Sequence, residues 1–338
     1  MGDKLLSPHI SPPYTENYGE PNVTRKRLGS TGLETSAVIL GGNVFGWTID
    51  AATSFDILDR FLDSGLNTID TADAYGARKP VRTVGDSEQI IGNWLRRRGK
   101  RDDVVIITKV GSDIPNNKKD LSAPYIERAV EASLSRLGVD AIDLLLSHWP
   151  DPETPYEETL GAFDKLVRSG KVRAIGTSNL NAKQLRDSFD AATAHSLPRY
   201  DVLQPEYNLY DRAGFENDLR DFTISEDIGV ITYFSLAKGF LSGKYRSAAD
   251  LEKSERGERV KAYLNERGFR ILSALDAVAA RNAAKPAEIA LAWLISRPGV
   301  TAPISSATSP SQLESIARAA TLTLSEEDKK ELDGASRV

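Results

Sequence analysis

From Ala37 onward the chain repeats one pattern: a short apolar run, then a stretch with helical periodicity. The runs are 37–40, 67–70, 104–108, 142–147, 172–177, 200–204, 229–233 and 300–304. Most are continuous rather than alternating, as expected of parallel strands buried on both faces. Helical patterns occupy 52–64, 86–98, 122–137, 156–169, 181–194 and 215–227, then a longer region 261–296, and 310–320 after the last run. Ser122 with Pro124, Asn181, and Ser309-Pro310 mark helix starts. Ser325-Glu326-Glu327 opens an extra C-terminal helix. Eight strand–helix units without a linker predict a single α/β domain, a (β/α)₈ TIM barrel. A doubly wound sheet is disfavoured because no G-x-G-x-x-G follows a strand. Residues 24–36 predict an N-terminal β-hairpin around Gly29-Ser30-Thr31-Gly32. Residues 1–23, with four prolines and no apolar periodicity, read as an irregular extension, leaving 24–338 as the barrel domain.

Composition narrows the partners. The net charge of −5 supplies no basic footprint for nucleic acid or membrane. The dense basic cluster, Arg96-Arg97-Arg98 with Lys100-Arg101, falls at a predicted helix end, where cations complement the dipole. Cysteine is absent, so disulfides, thiol nucleophiles and thiolate metal sites are excluded. No apolar run approaches 18 residues, and the expectation is a cytoplasmic protein.

The strand ends carry the chemistry. Asp70 ends the second run with Tyr75 five residues on; Lys109 follows the third and His148 the fourth. In such barrels the C-terminal strand ends share one rim, where active sites sit. Alone, each residue reads as a cap, a surface charge or a packing residue. Together they form an acid–base set around a phenol. Three connections on that rim, 71–85, 109–121 and about 234–260, exceed simple turns and read as binding loops. His148 and Asp151 are not a metal site, because His9 and His195 lie elsewhere.

Several segments, in order, resemble the aldo-keto reductase superfamily. They are Asn67 to Gly76 (NTIDTADAYG), Ser87 to Gly92, Thr108 to Gly111, Leu144 to Asp151 (LLLSHWPD), Ile175 to Asn179, Gln204 to Asn208, and Tyr233 to Tyr245. Their style is similar to the microbial branch related to potassium-channel β subunits. The resemblance implies a barrel enzyme in which Asp70, Tyr75, Lys109 and His148 are catalytic. Tyr75 would be the general acid, Lys109 paired with Asp70 would tune it, and His148 would orient the carbonyl. It implies NADPH as cofactor, with NADH the lesser partner. Ser178, Asn179 and Gln204 would bind the carboxamide, Tyr233 would stack on the nicotinamide, and Ser235, Leu236 and Lys244 would meet the pyrophosphate. Gly42, Asn43 and Asp70 also fall on the cofactor side. Ser306 and Thr308, ahead of a helix start, and Gln312 would serve the adenosine end.

One departure stands out. Ser315 and Ile316 occupy positions where the family's Glu and Asn touch adenine, and the preceding loop, Ser305 to Ser309, holds no arginine. Arg246, Arg256 and Arg259 are the candidates for a 2′-phosphate contact. The substrate pocket would be lined by Asn43, Trp47, Tyr75, His148 and Trp149, with loops 76–85 and 111–120. The expected activity is reduction of aldehydes or ketones, including cyclic or hydroxylated secondary ketones. The alternatives are a cofactor-bound regulatory subunit with slow turnover and a non-redox barrel enzyme. The partner is a small-molecule carbonyl compound; no oligomeric state is specified.

Overall fold

The computed structural model describes residues 24–76, 84–113, 118–253 and 257–337. The extension 1–23 therefore lies outside the described residues. The eight apolar runs become β1 (Ile39–Gly41), β2 (Thr68–Asp70), β3 (Val105–Val110), β4 (Ile142–Ser147), β5 (Val172–Ser178), β6 (Val202–Gln204), β7 (Gly229–Thr232) and β8 (Ala302–Ser305). Each pairs in parallel with the next, and β8 returns to β1 through Ser305 opposite Leu40. The barrel is closed, so no strand edge is left open.

Pleating divides the side chains of each strand between two cores. Leu144 and Leu146 of β4 point inward to meet Ile39, Ile107, Val202, Ile231 and Ile304. Leu145, between them, joins the outer shell under the helices. The expected hairpin pairs Arg25–Arg27 with Glu34–Ser36. Its turn inserts the fully buried Leu28 into the inner core, closing the end where the strands begin.

Around the barrel run α1 (Ala51–Asp63), α2 (Asp86–Arg98), α3 (Ala123–Leu137), α4 (Tyr156–Arg168), α5 (Ala182–His195) and α6 (Asp218–Ser225). They are followed by α7 (Glu266–Arg281), α8 (Pro286–Ile295), α9 (Pro310–Ala319) and α10 (Glu326–Ser336). Asn181 caps α5 in a reciprocal box with Gln184. Ser122 starts α3 without a side-chain cap, and its hydroxyl donates to Asp120 at 2.6 Å. The basic end of α2 is knitted to the following turn: Arg98 holds Asp103 through two bonds of 2.6 and 2.5 Å.

Two expectations need correction. The region 261–296 is not one helix. Ala283 takes a left-handed φ of 47°, and Pro286, which has no N–H to donate, begins α8. The pattern 215–227 shrinks to α6 because Asn217 caps it, accepting from Leu219 N at 3.1 Å. The connection after β7 is built from short turns, Ala237–Ser242, Ala248–Lys253, Gly257–Val260 and Lys261–Tyr263. Among the described residues, no helix is long and apolar enough to cross a membrane.

Candidate active site

Asp70 is the last residue of β2, and Lys109 lies one residue before the end of β3, rather than beyond it. His148 directly follows β4, and Tyr75 sits in the turn after β2. Lys109 is completely buried. Its ammonium donates to Asp70 Oδ2 at 2.7 Å, Thr71 O at 2.8 Å and the Tyr75 hydroxyl at 3.2 Å. All three of its protons thus find acceptors. Asp70 Oδ1 accepts from Gln204 Nε2 at 2.9 Å, so β6 braces the pair from across the barrel.

Burial disfavours charge on Lys109, but Asp70 and Tyr75 outweigh it and raise the ammonium's pKa. For Tyr75 the balance falls the other way. Packing around the phenol raises its pKa, and the attraction of Lys109, 4.8 Å from the ring centre, only partly opposes this. The phenol is therefore protonated at neutral pH. The His148 ring meets Tyr75 edge-on at 5.8 Å and stacks on Trp149 at 5.8 Å. Burial, with Lys109 and Lys119 adding to it, holds the imidazole well below its ordinary pKa, so it is neutral. Its Nδ1 is sealed from solvent without a hydrogen-bond partner among the described residues.

Next to these residues lies a polar shelf. Ser178 Oγ donates to Gln204 O at 2.8 Å. Asn179, at a left-handed φ of 67°, donates to His148 O at 2.9 Å and to Ser178 Oγ at 3.1 Å. The Tyr233 hydroxyl donates to Asn179 Oδ1 at 2.7 Å. Hydroxyl and amide groups beside an aromatic ring suit a flat heterocycle with a carboxamide edge, so this donor set fits a nicotinamide. A bound ring there would stand beside Tyr75 and His148.

Further along the rim, Ser306 Oγ donates to Asn43 Oδ1 at 2.6 Å. Gly41 leaves room for that bond: a Cβ there would sit 2.6 Å from Ser306 Oγ. Gly42 accepts from Ser87 at 2.8 Å, a structural contact. Gln312 Oε1 accepts from Thr308 N at 2.9 Å and Thr308 Oγ1 at 3.1 Å, folding the loop back over the start of α9. Ser235 bonds to Thr232 O at 3.0 Å, Leu236 packs on the core, and Lys244 is exposed over the Tyr245 ring at 4.9 Å.

The arginine candidates fare differently. Arg246 is committed to Asp276 by two bonds of 2.7 and 2.8 Å. Arg259 stacks over Trp47 at 5.6 Å, bringing the segment after β7 against the loop after β1. Arg256 lies outside the described residues. A cation the motifs do not mark is Lys285, whose Nζ donates to Ser315 Oγ at 3.1 Å. Ser315 lies one helical turn beyond Gln312, on the same side of α9.

A buried cluster near Tyr75 joins Asp73, Glu88 and Thr108, all within the motif segments, to Arg136 outside them. Thr108 donates to Glu88 at 2.5 Å, and Arg136 pairs with the same carboxylate at 2.7 Å. Beside them Asp73 is buried, its Oδ1 without a partner among the described residues, and burial with the neighbouring Glu88 raises its pKa well above the ordinary Asp value. A pattern of acid, threonine and arginine on three separate elements has no sequence spacing to reveal it.

Comparison with known proteins agrees with this geometry. The chain is 34% identical over 318 residues to aldo-keto reductase YhdN of Bacillus subtilis, covering 90% of this chain and 91% of that one. It is 35% identical over 298 residues to a probable voltage-gated potassium channel subunit beta of Arabidopsis thaliana, covering 86% and 88%. Protein tas of Escherichia coli is 30% identical over 337 residues, covering 92% and 97%. Residues 37–337 match the Aldo/keto reductase family as a whole. The chain belongs to that family, whose members are oxidoreductases that act on small carbonyl compounds with a nicotinamide cofactor.

Proposed function

We propose that the chain reduces aldehydes or ketones to alcohols, with NADPH as reductant and Tyr75 as general acid. The observation that carries this reading is the buried Lys109, bonded at once to Asp70 and to the hydroxyl of a protonated Tyr75. Ser178, Asn179 and Gln204 would hold the carboxamide and Tyr233 the ring; bound there, the nicotinamide supplies a hydride to the carbonyl carbon. As charge develops on the carbonyl oxygen, the Tyr75 hydroxyl gives it a proton. Lys109 then stabilises the phenolate at 3.2 Å, and Asp70 keeps the ammonium in place. His148, neutral and beside Tyr75, can donate a hydrogen bond that orients the same oxygen.

The preference for NADPH rests on the adenosine end. Hydroxyls of Ser306 and Thr308 precede the N-terminus of α9, which favours an anion. Arg246 is engaged with Asp276, so Lys285, bonded to Ser315 of α9, would meet the 2′-phosphate and Lys244 the pyrophosphate. A second reading, a cofactor-bound subunit with slow turnover, is motivated by the potassium-channel relatives. The two separate by comparing turnover on a carbonyl panel with cofactor retention through gel filtration. Tyr75→Phe should lower kcat by about 10²–10⁴-fold while leaving NADPH binding nearly intact. A variant that turns over at the wild-type rate would sink the assignment.

A further inference from the structure

Four side chains form a ladder outward from the candidate acid. Tyr75 meets His148 at 5.8 Å, His148 stacks on Trp149 at 5.8 Å, and Lys119 Nζ lies 4.5 Å from the Trp149 ring centre. Two anchors hold Lys119 in place. It pairs across a short ladder with Ser112, and the following Leu121 N donates to Asp151 at 2.9 Å, just past Trp149. Its neighbour Lys118 is neutralised by Asp120 at 2.9 Å. Among the described residues, no carboxylate lies within ion-pairing distance of Lys119. Among the described residues, Lys119 is thus an exposed cation beside Trp149, the ring that stacks on His148.

Resting on the reductase reading above, we infer that the substrate is a carbonyl compound bearing a carboxylate at its far end. The carbonyl sits at Tyr75 and His148, the body of the substrate passes the half-buried Trp149, and the carboxylate docks on Lys119. One ammonium balances one carboxylate charge, whereas a phosphate dianion would call for a second free cation, and Lys118 is taken.

The test uses two matched aldehydes, 4-carboxybenzaldehyde and its uncharged methyl ester, with the full-length enzyme and NADPH. The acid should show a kcat/KM about fivefold above the ester, the size expected of a partly exposed ion pair, and the gain should sit in KM. Raising NaCl to about 0.5 M should erase it. Lys119→Met should bring the ratio to about one, and Lys119→Arg should restore it. A wild-type ratio of one, or a ratio unchanged in Lys119→Met, overturns the inference. Calorimetric binding of terephthalate, which has no carbonyl to reduce, gives a second readout. If neither aldehyde is reduced, the carbonyl panel decides the reductase reading, and terephthalate still decides the docking site. Weaker binding to Lys119→Met supports it, and equal binding refutes it.

Discussion

A fully buried ammonium is tolerated only where each of its protons is bonded, and Lys109 meets that condition through Asp70, Thr71 and Tyr75. Its fixed charge reaches His148 as well, adding to burial in keeping that imidazole neutral. This has a consequence for stability. In the unfolded chain His148 takes up a proton near its ordinary pKa of about 6.5, while in the fold it does so only at much lower pH. The unfolded state therefore binds more protons below about pH 6.5, and folding stability is lost as pH falls through that value. Above it the contribution is fully present. His148→Gln, which cannot titrate, should lose less stability than wild type between about pH 7.5 and 5.5 in urea unfolding; equal losses would contradict the neutral imidazole. The four residues themselves were legible because each stands at or near the end of an apolar run. The bond from Gln204 to Asp70 was not, since it joins β6 to β2 across the barrel and no local spacing encodes it. Lys119 was hidden for the same reason: its neighbour Trp149 belongs to another loop.

At the scale of elements, the strands were the easiest to read. Burial on both faces writes an uninterrupted apolar run such as Leu144-Leu145-Leu146, and every such run became a barrel strand. Helix boundaries after β7 were harder to read. Continuous periodicity through 261–296 concealed the break at Ala283, whose left-handed backbone is not a property its residue type announces. That break matters, because it places Lys285 at the start of α8, against Ser315 of α9. Gly243, in the segment after β7, lies close by: a Cβ there would be 3.4 Å from Pro286. Lys285 thus stands where this segment, α8 and α9 come together, beside the proposed adenosine end. The expected outcome is that NADPH binds roughly ten- to a hundredfold tighter than NADH, as one charge-assisted contact of about 1.5–3 kcal/mol would give. Lys285→Met should narrow this gap by weakening NADPH alone. Lys244→Ala, at the proposed pyrophosphate end, should weaken both cofactors alike. Fluorescence titration of both cofactors checks this, and a gap unchanged in Lys285→Met would remove Lys285 from the specificity site.

Across the whole molecule, chemistry and closure occupy opposite ends of the barrel. The candidate site lies where the strands finish, while the hairpin turn seals the end where they begin, with Leu28 as its plug. The fit there is close. Gly29 has a left-handed φ of 56°, and a Cβ on it would lie 2.4 Å from Asp201 O and 2.6 Å from Gly229 N, at the entries to β6 and β7. Leu28 touches the inner core that Ile39, Ile107, Leu144, Val202 and Ile231 build from five different strands, so it helps to fix their mutual spacing. Removing its side chain leaves a cavity that those strands, tied to one another around a closed ring, cannot readily collapse to fill. Leu28→Ala should therefore cost about 2–5 kcal/mol of stability. The side chains around Tyr75 are bonded among themselves at the far rim, so the same variant should keep its kcat on any substrate the wild type reduces. Urea unfolding and steady-state kinetics on one preparation check both halves. A Leu28→Ala protein as stable as wild type would show that the hairpin merely rests on the barrel. One that is destabilised and also slowed in kcat would show that the plug shapes the active rim.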